Sequence, residues 1–187
     1  LLFPITTLGE TMDDLRKRDG LYYKKFTDVP FTGTVTGEEQ GELVDGKKEG
    51  LWFVYYHDGQ LEKKGTYKDG KKDGLWVEYR SNGQLWKKGT YKDSKEDGSW
   101  VEYHDNGQLS SKATYKDGEF DGLWVEYYEN EQLRSKANIK NGELDGLWVS
   151  YYKNGQLWKK GTYKDGEKED DWVYYSRDGS VLEYGED

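Results

Sequence analysis

Along most of the chain, apolar and polar residues alternate in short runs, and the runs return in phase. Gly74–Asp97 reads GLWVEYRSNGQLWKKGTYKDSKED, and the same 24-residue text recurs over Gly50–Asp73, Gly98–Asp121, Gly122–Asp145 and Gly146–Glu169. A further, truncated copy starts at Asp170. Trp52, Trp76, Trp100, Trp124, Trp148 and Trp172 stand 24 residues apart, a fixed period that marks a repeat architecture. Within a copy, a run such as Trp124–Tyr128 sets aromatic and β-branched residues between polar ones, which predicts a strand. Asn82-Gly83, Asn106-Gly107 and Asn154-Gly155 follow these runs and predict type I′ hairpins, in which both central residues need positive φ. The second strand, Gln84–Tyr91 and its equivalents, ends in Lys-Asp-Gly, a turn signal into the next copy. Helix is disfavoured, because no apolar stripe recurs at helical spacing and the runs between turns are short.

A two-residue Asn-Gly turn places Arg80 beside Leu85, Glu78 beside Lys87 and Trp76 beside Gly89. The same pairing sets Trp100 against Ala113 and Trp124 against Ala137; an indole that covers bare backbone stabilises glycine in a sheet. Glu78 with Lys87 is an opposite-charge cross-strand pair worth ~0.2–1 kcal/mol. Trp76, Leu85, Gly89 and Tyr91 then share one face, and Val77, Tyr79, Lys88 and Thr90 the other, with no segment left over to cover either with helices. The expected fold is all-β: an elongated, single-layer antiparallel β-meander of tandem 24-residue hairpins, each buried against its neighbours.

Four regions follow. Residues 1–20 form an N-terminal segment, in which LLFPITTLGE (1–10) looks like the tail of a secretory signal and TMDDLRKR (11–18) is either one short helix or unstructured. A floppy terminus of a cytoplasmic protein is the alternative; export to the periplasm, cell surface or medium is the expectation. Residues 21–49 read as an N-terminal cap containing a shortened repeat, 50–169 as five full repeats, and 170–187 as a truncated C-terminal cap. Pro30 lacks a ladder donor and suits an edge.

Low apolar content (33%) with net charge −9 is the balance of a disordered chain, but 8 Trp and 17 Tyr supply large buriable surfaces. The acidic balance argues against nucleic acid and against bulk attraction to anionic membranes. Absence of cysteine removes disulfides and thiolate metal sites.

The recurrent Gly-x-Trp-x-x-Tyr, Asn-Gly-Gln-Leu and Gly-x-Tyr-x-x-Gly text resembles MORN repeats, and more closely the bacterial variant of the YwqK-family antitoxins. It covers Leu21 to Tyr184, and MDDLRKRDGLYYKKFTDVPFTGTVTG resembles the usual opening of that group behind a signal peptide. The resemblance implies the hairpin-repeat fold, and a role in membrane-lipid contact, protein scaffolding and dimerisation, or neutralisation of a toxin. Local departures are Glu131 and Ser94 in place of turn glycines and Ile139 in place of Tyr.

Catalytic chemistry has little to stand on. His57 and His104 fall in slots that the repeat fills elsewhere with Ser81, Asp105, Glu129, Arg80, Tyr128 or Tyr152, which marks them as solvated turn residues. Neither a phosphate-binding glycine loop nor a nucleophile motif occurs. The aspartate pairs Asp69/Asp73, Asp93/Asp97 and Asp117/Asp121 match no calcium-loop spacing and suit tight turns. No catalytic residue, metal or cofactor is assigned. Candidate binding residues are the column Lys88, Lys112 and Lys136 interleaved with Tyr79, Tyr103 and Tyr127, together with Trp86 and Trp158 at a variable position. The lysine column either receives an anionic lipid, a glycan or an acidic protein, or is a solvated face whose stems lie on tyrosine rings. Three functions stay open: a scaffold that binds another protein, such as a toxin; a lipid- or glycan-binding envelope protein; and a homo-oligomer assembling through its terminal strands.

Overall fold

A computed structural model describes residues 9–182. Among them the chain is all-β; the sole helical element is a 3₁₀ turn, Met12–Asp14. Seventeen strands belong to one sheet and two to another. The described residues segregate into two compact units, 9–84 with Tyr91–Ser94, and Leu85–Thr90 with 95–182.

The first unit contains β1 (Glu10–Thr11), β2 (Leu15–Arg18), β3 (Leu21–Lys24), β4 (Gly33–Thr36), β5 (Glu39–Val44), β6 (Lys47–Tyr55), β7 (Leu61–Lys68) and β8 (Lys71–Tyr79). From β4 onward it is an antiparallel meander, entered through a short parallel pairing of β1 with β4. TMDDLRKR is therefore neither a helix nor unstructured: a 3₁₀ turn leads into β2, which pairs with β3 as a separate hairpin. That hairpin runs across the anticipated boundary at residue 20, and it covers part of the first unit with strands and without a helix. Leu15 from β2 is buried in a cluster with Val35, Leu43 and Trp52, against which Met12, Tyr22, Phe31 and Tyr67 pack. Residues 1–8 of the expected signal remnant lie outside the described residues.

The second unit takes most of β9 (Leu85–Lys92), followed by β10 (Lys95–Glu96), β11 (Gly98–Tyr103), β12 (Leu109–Lys116), β13 (Glu119–Tyr127), β14 (Leu133–Lys140), β15 (Glu143–Tyr151), β16 (Leu157–Lys164), β17 (Glu167–Lys168), β18 (Val173–Tyr175) and β19 (Val181–Leu182). Its long strands also run as an antiparallel meander.

The two turns of each repeat exchange the roles read from sequence. At Asn-Gly only glycine has positive φ (Gly83 80°, Gly107 81°, Gly155 83°), and the loop holds three residues. His104 and Gln108 close one such loop, with Gly107 N–H donating to His104 O; this is a type I turn with a left-handed glycine. The type I′ turns are instead the Asp-Gly pairs, with φ of 52° and 79° at Asp69-Gly70 and 52° and 89° at Asp117-Gly118. Register at the tryptophans nevertheless comes out as expected, because a bulge compensates for the extra loop residue. Glu102 faces Ser111 and Tyr103 faces Leu109, so Ser110 is left over. Glu62, Arg134 and Trp158 are left over in the same way in their own hairpins. The position that varies freely between copies is thus a bulge, where no cross-strand partner constrains the side chain.

Candidate interaction surface

One face of each unit is built around tryptophan. Beyond Trp76, a single Thr66 on β7 faces Asp73, Gly74 and Leu75 on β8, a wide irregularity that recurs opposite Thr114. Gly74 takes φ of 87° there, and the Thr66 hydroxyl donates to Asp73 O. The indole folds back over the preceding strand: Trp76 Nε1 donates to Thr66 O at 3.2 Å and Trp100 Nε1 to Thr90 O at 3.1 Å. The glycine beneath is obligatory, since a Cβ on Gly65 would lie 2.2 Å from the Trp76 ring and one on Gly89 2.0 Å from Trp100. The indole therefore covers the glycine of the strand before it; Gly89 lies under Trp100, not under Trp76 as the hairpin reading had it. Trp52, Trp76 and Trp100 are 1–2% exposed, and edge-to-face tyrosines complete the stack, as with Tyr67 on Trp76 at 5.2 Å.

Lysines close this face from above. Lys48, Lys72, Lys87 and Lys168 lie over the rings of Trp52, Trp76, Trp100 and Trp172 at 4.0–4.9 Å. Lys87 also pairs with Glu102 at 3.3 Å. The lysine-on-ring contacts expected of the Lys88 column thus fall on different lysines, on the opposite face.

That opposite face carries the column read from sequence. Val101 is registered between Lys88 and Lys112, Val125 between Lys112 and Lys136, and Val149 between Lys136 and Lys160. Paired residues point to the same side, so lysine and valine alternate along one row, with lysines about 10 Å apart. Lys112 and Lys136 are exposed and Lys88 is half-buried. Tyr103 and Tyr127, both half-buried, lie two residues beyond Val101 and Val125 on the same side. Tyr79 takes the equivalent place in the first unit, after Val77. Sequence reasoning missed a neighbouring row. Leu51 and Leu75 in the first unit and Leu123 and Leu147 in the second precede the tryptophans and are 39–57% exposed. Their signal was present in the repeated Gly-Leu-Trp text. Trp158, a bulge residue 42% exposed, belongs instead with the tryptophan face, 5.9 Å from the Tyr152 ring; Trp86 is 40% exposed.

The remaining candidates act as connectors. His104 Nε2 lies 2.9 Å from Tyr127 O, the bond that Tyr56, Tyr128 and Tyr152 make through their hydroxyls to the carbonyls of Tyr79, Tyr151 and Tyr175. It is therefore a link between copies and not a solvated turn residue. His57 is fully exposed, and its hydrogen bond to Glu38 raises its pKa. The turn asparagines also reach across copies: Asn106 Nδ2 donates to Glu129 O and Asn130 Nδ2 to Lys153 O, each at 2.9 Å. Among the described residues no three His, Asp or Glu gather into a metal-binding group. A concavity of about 690 Å³ opens where Asp170-Asp171 replaces Gly-Leu. Asp171 there accepts from the Thr162 hydroxyl and amide, which holds its carboxyl below the usual carboxylate range.

Tandem hairpins joined by indole, tyrosine and asparagine bonds from copy to copy define a β-repeat protein. The profile of the MORN repeat variant matches residues 48–69, 72–93, 96–117, 120–141 and 144–165, more than half of the chain, and the chain belongs to that family. MORN repeats serve in general as scaffolds for protein or membrane contact. No curated protein sequence matches. Among solved structures, a chain of the "GtfA/B complex bound to UDP and GlcNAc" is similar over 71% of this chain and 24% of its own, with 12% identity and a TM-score of 0.27. Likeness of that degree says nothing about what this chain binds.

Proposed function

We infer that the chain is a non-enzymatic scaffold whose Leu/Val/Tyr/Lys face docks another protein. The observation that carries this is the face itself. Half-exposed Leu123 and Leu147 stand two residues before Val125 and Val149, beside the row Lys88–Val101–Lys112–Val125–Lys136, and exposed apolar side chains gathered in this way mark interaction sites. On a chain of net charge −9 this row is a local positive strip, so a partner with an acidic patch around an apolar centre docks here and is repelled elsewhere. The resemblance to the YwqK group makes a toxin the first partner to test, with both proteins in the envelope or outside the cell. Affinity purification from the native organism should retain one stoichiometric protein, and lose it when Lys88, Lys112 and Lys136 become Glu. Retention of the same partner by that charge-reversed variant would place binding elsewhere.

The even lysine spacing supports a second reading, contact with an anionic surface such as lipid headgroups or an acidic glycan. Sedimentation with anionic vesicles in preference to neutral ones, abolished by the same triple variant, would replace the protein partner with a membrane. Concentration-dependent growth in light scattering would instead support assembly through the terminal strands.

A further inference from the structure

Two changes fall together in the repeats that run QLSSKATY (108–115) and QLRSKANI (132–139), where neighbouring copies read QLEKKGTY and QLWKKGTY. Alanine replaces the glycine beneath the indole at Ala113 and Ala137, and serine replaces the long side chain above it at Ser111 and Ser135. A third shortening, Ser150, stands where Glu78, Glu102 and Glu126 stand elsewhere. Register brings these changes together, since Ser135 faces Ser150 just as Lys63 faces Glu78 and Lys87 faces Glu102.

The consequences are geometric. With a Cβ at Ala113 and Ala137, the indoles of Trp124 and Trp148 do not fold down onto the preceding strand. Among the described residues neither makes the carbonyl bond of Trp76 and Trp100; they lie against each other at 5.5 Å, 33° apart. Trp148 Nε1 and Ser150 Oγ are left buried without a hydrogen-bond partner, although Ser150 is only 3% exposed. Above them, where lysine and glutamate would lie, is a cavity of about 240 Å³ lined by Trp124, Tyr128, Trp148 and Trp158 and edged by Glu126, Arg134 and Lys159. A second cavity of about 170 Å³ continues from Trp124 past Ser111 and Ala113. Burial, and then Lys168, lowers the Lys159 pKa.

We propose that this groove is a binding site for a neutral sugar ring. Aromatic walls suit the C–H face of a pyranose, and the polar groups select it. Trp148 Nε1 only donates, Glu126 only accepts, Arg134 and Lys159 only donate, and Ser150 does either. A ligand whose hydroxyls both donate and accept around its rim satisfies all of them at once. A fully apolar chain gives the two buried groups no partner and strips water from Glu126, Arg134 and Lys159 without replacing its hydrogen bonds, an unfavourable exchange. A strong anion meets Glu126 head on, 3.7 Å from Arg134. Because the two buried atoms are sealed as the groove stands, binding shifts Trp124, which like Trp148 lacks the anchoring carbonyl bond.

The test is an indole N–H NMR titration of the full chain, whose eight tryptophans each contribute one signal, assigned by single Trp→Phe variants. Glucose, galactose, N-acetylglucosamine and their short oligomers are the probes, with a nucleoside and free phenylalanine as aromatic controls. A sugar should shift the Trp148 and Trp124 signals saturably, with a dissociation constant of about 1 mM or tighter. The double variant Ser135→Lys, Ser150→Glu, which refills the groove with the pair that other copies carry, should stay folded and weaken that binding at least about tenfold. No saturable shift from any sugar by about 10 mM overturns the proposal. So does a response confined to the aromatic controls, or one that the refilled variant leaves unchanged.

Discussion

At Gly89 the absence of one carbon atom decides where an indole goes. The Trp100 ring occupies the place of a side chain, so Gly89→Ala forces ring and backbone apart and breaks the bond to Thr90 O. Overpacking of this kind costs about 1–3 kcal/mol. The urea midpoint should fall accordingly, with the Trp100 fluorescence moving to longer wavelength as the ring meets water. The opposite sign is expected at Glu131. It holds φ of 64° in the loop position where the five other copies carry glycine. A left-handed L-residue costs about 1–2 kcal/mol, and the extra unfolded-state entropy of glycine offsets about 0.5–1 kcal/mol of the relief. Glu131→Gly should therefore raise the urea midpoint modestly, by about 0.5–1 kcal/mol of added stability, with an unchanged slope.

At the scale of strands and turns, the sequence-based reading reached the right register through the wrong turn. Asn-Gly and Asp-Gly are both compatible with type I′, and nothing in the dipeptides says which loop is two residues long. The asparagine is held in place by bonds to the next copy, such as Asn106 to Glu129 O, which exist only once copies are stacked. The link role of His104 was hidden for the same reason. The groove was legible in principle, since Lys→Ser and Gly→Ala coincide in the same copies, yet its meaning depends on strand partners many residues away. Packing between strands also sets a pH response. Tyr67 lies edge-on between Trp52 and Trp76, and its burial, with Glu39 and Tyr22 nearby, pushes its pKa from 10.0 up to about 12. A raised pKa means the folded state keeps a proton that the unfolded chain gives up, so this contribution is complete below pH 10 and is lost as pH rises towards 12. Urea midpoints measured across that range should decline, and Tyr67→Phe should make the decline shallower. Absorbance of the phenolates should show one fewer late-titrating tyrosine in the variant.

For the molecule, stability is carried mainly between consecutive strands, which makes the repeat a removable part. Excision of Gly122–Asp145 joins Asp121 to Gly146, and the junction reproduces the Asp-Gly-Leu-Trp text of the native boundaries. The shortened β13 and the retained β15 merge into one strand, whose Trp148 then falls opposite Ala113 as Trp124 did. Each strand on either side keeps an antiparallel partner of the same pattern, so the loss is one intrinsic term and one interface term. The excised chain should show the same β-type circular dichroism and a cooperative urea transition, with a slope reduced in proportion to the surface no longer buried. Loss of the transition altogether would show that distant parts of the chain stabilise one another. The deletion also separates the two functional readings: it removes Lys136 while leaving Lys88, Lys112 and Lys160 on one face, and it takes away Trp124, Arg134 and Ser135 together. Partner binding through the lysine and leucine face should therefore weaken by degrees, whereas sugar binding in the groove should vanish.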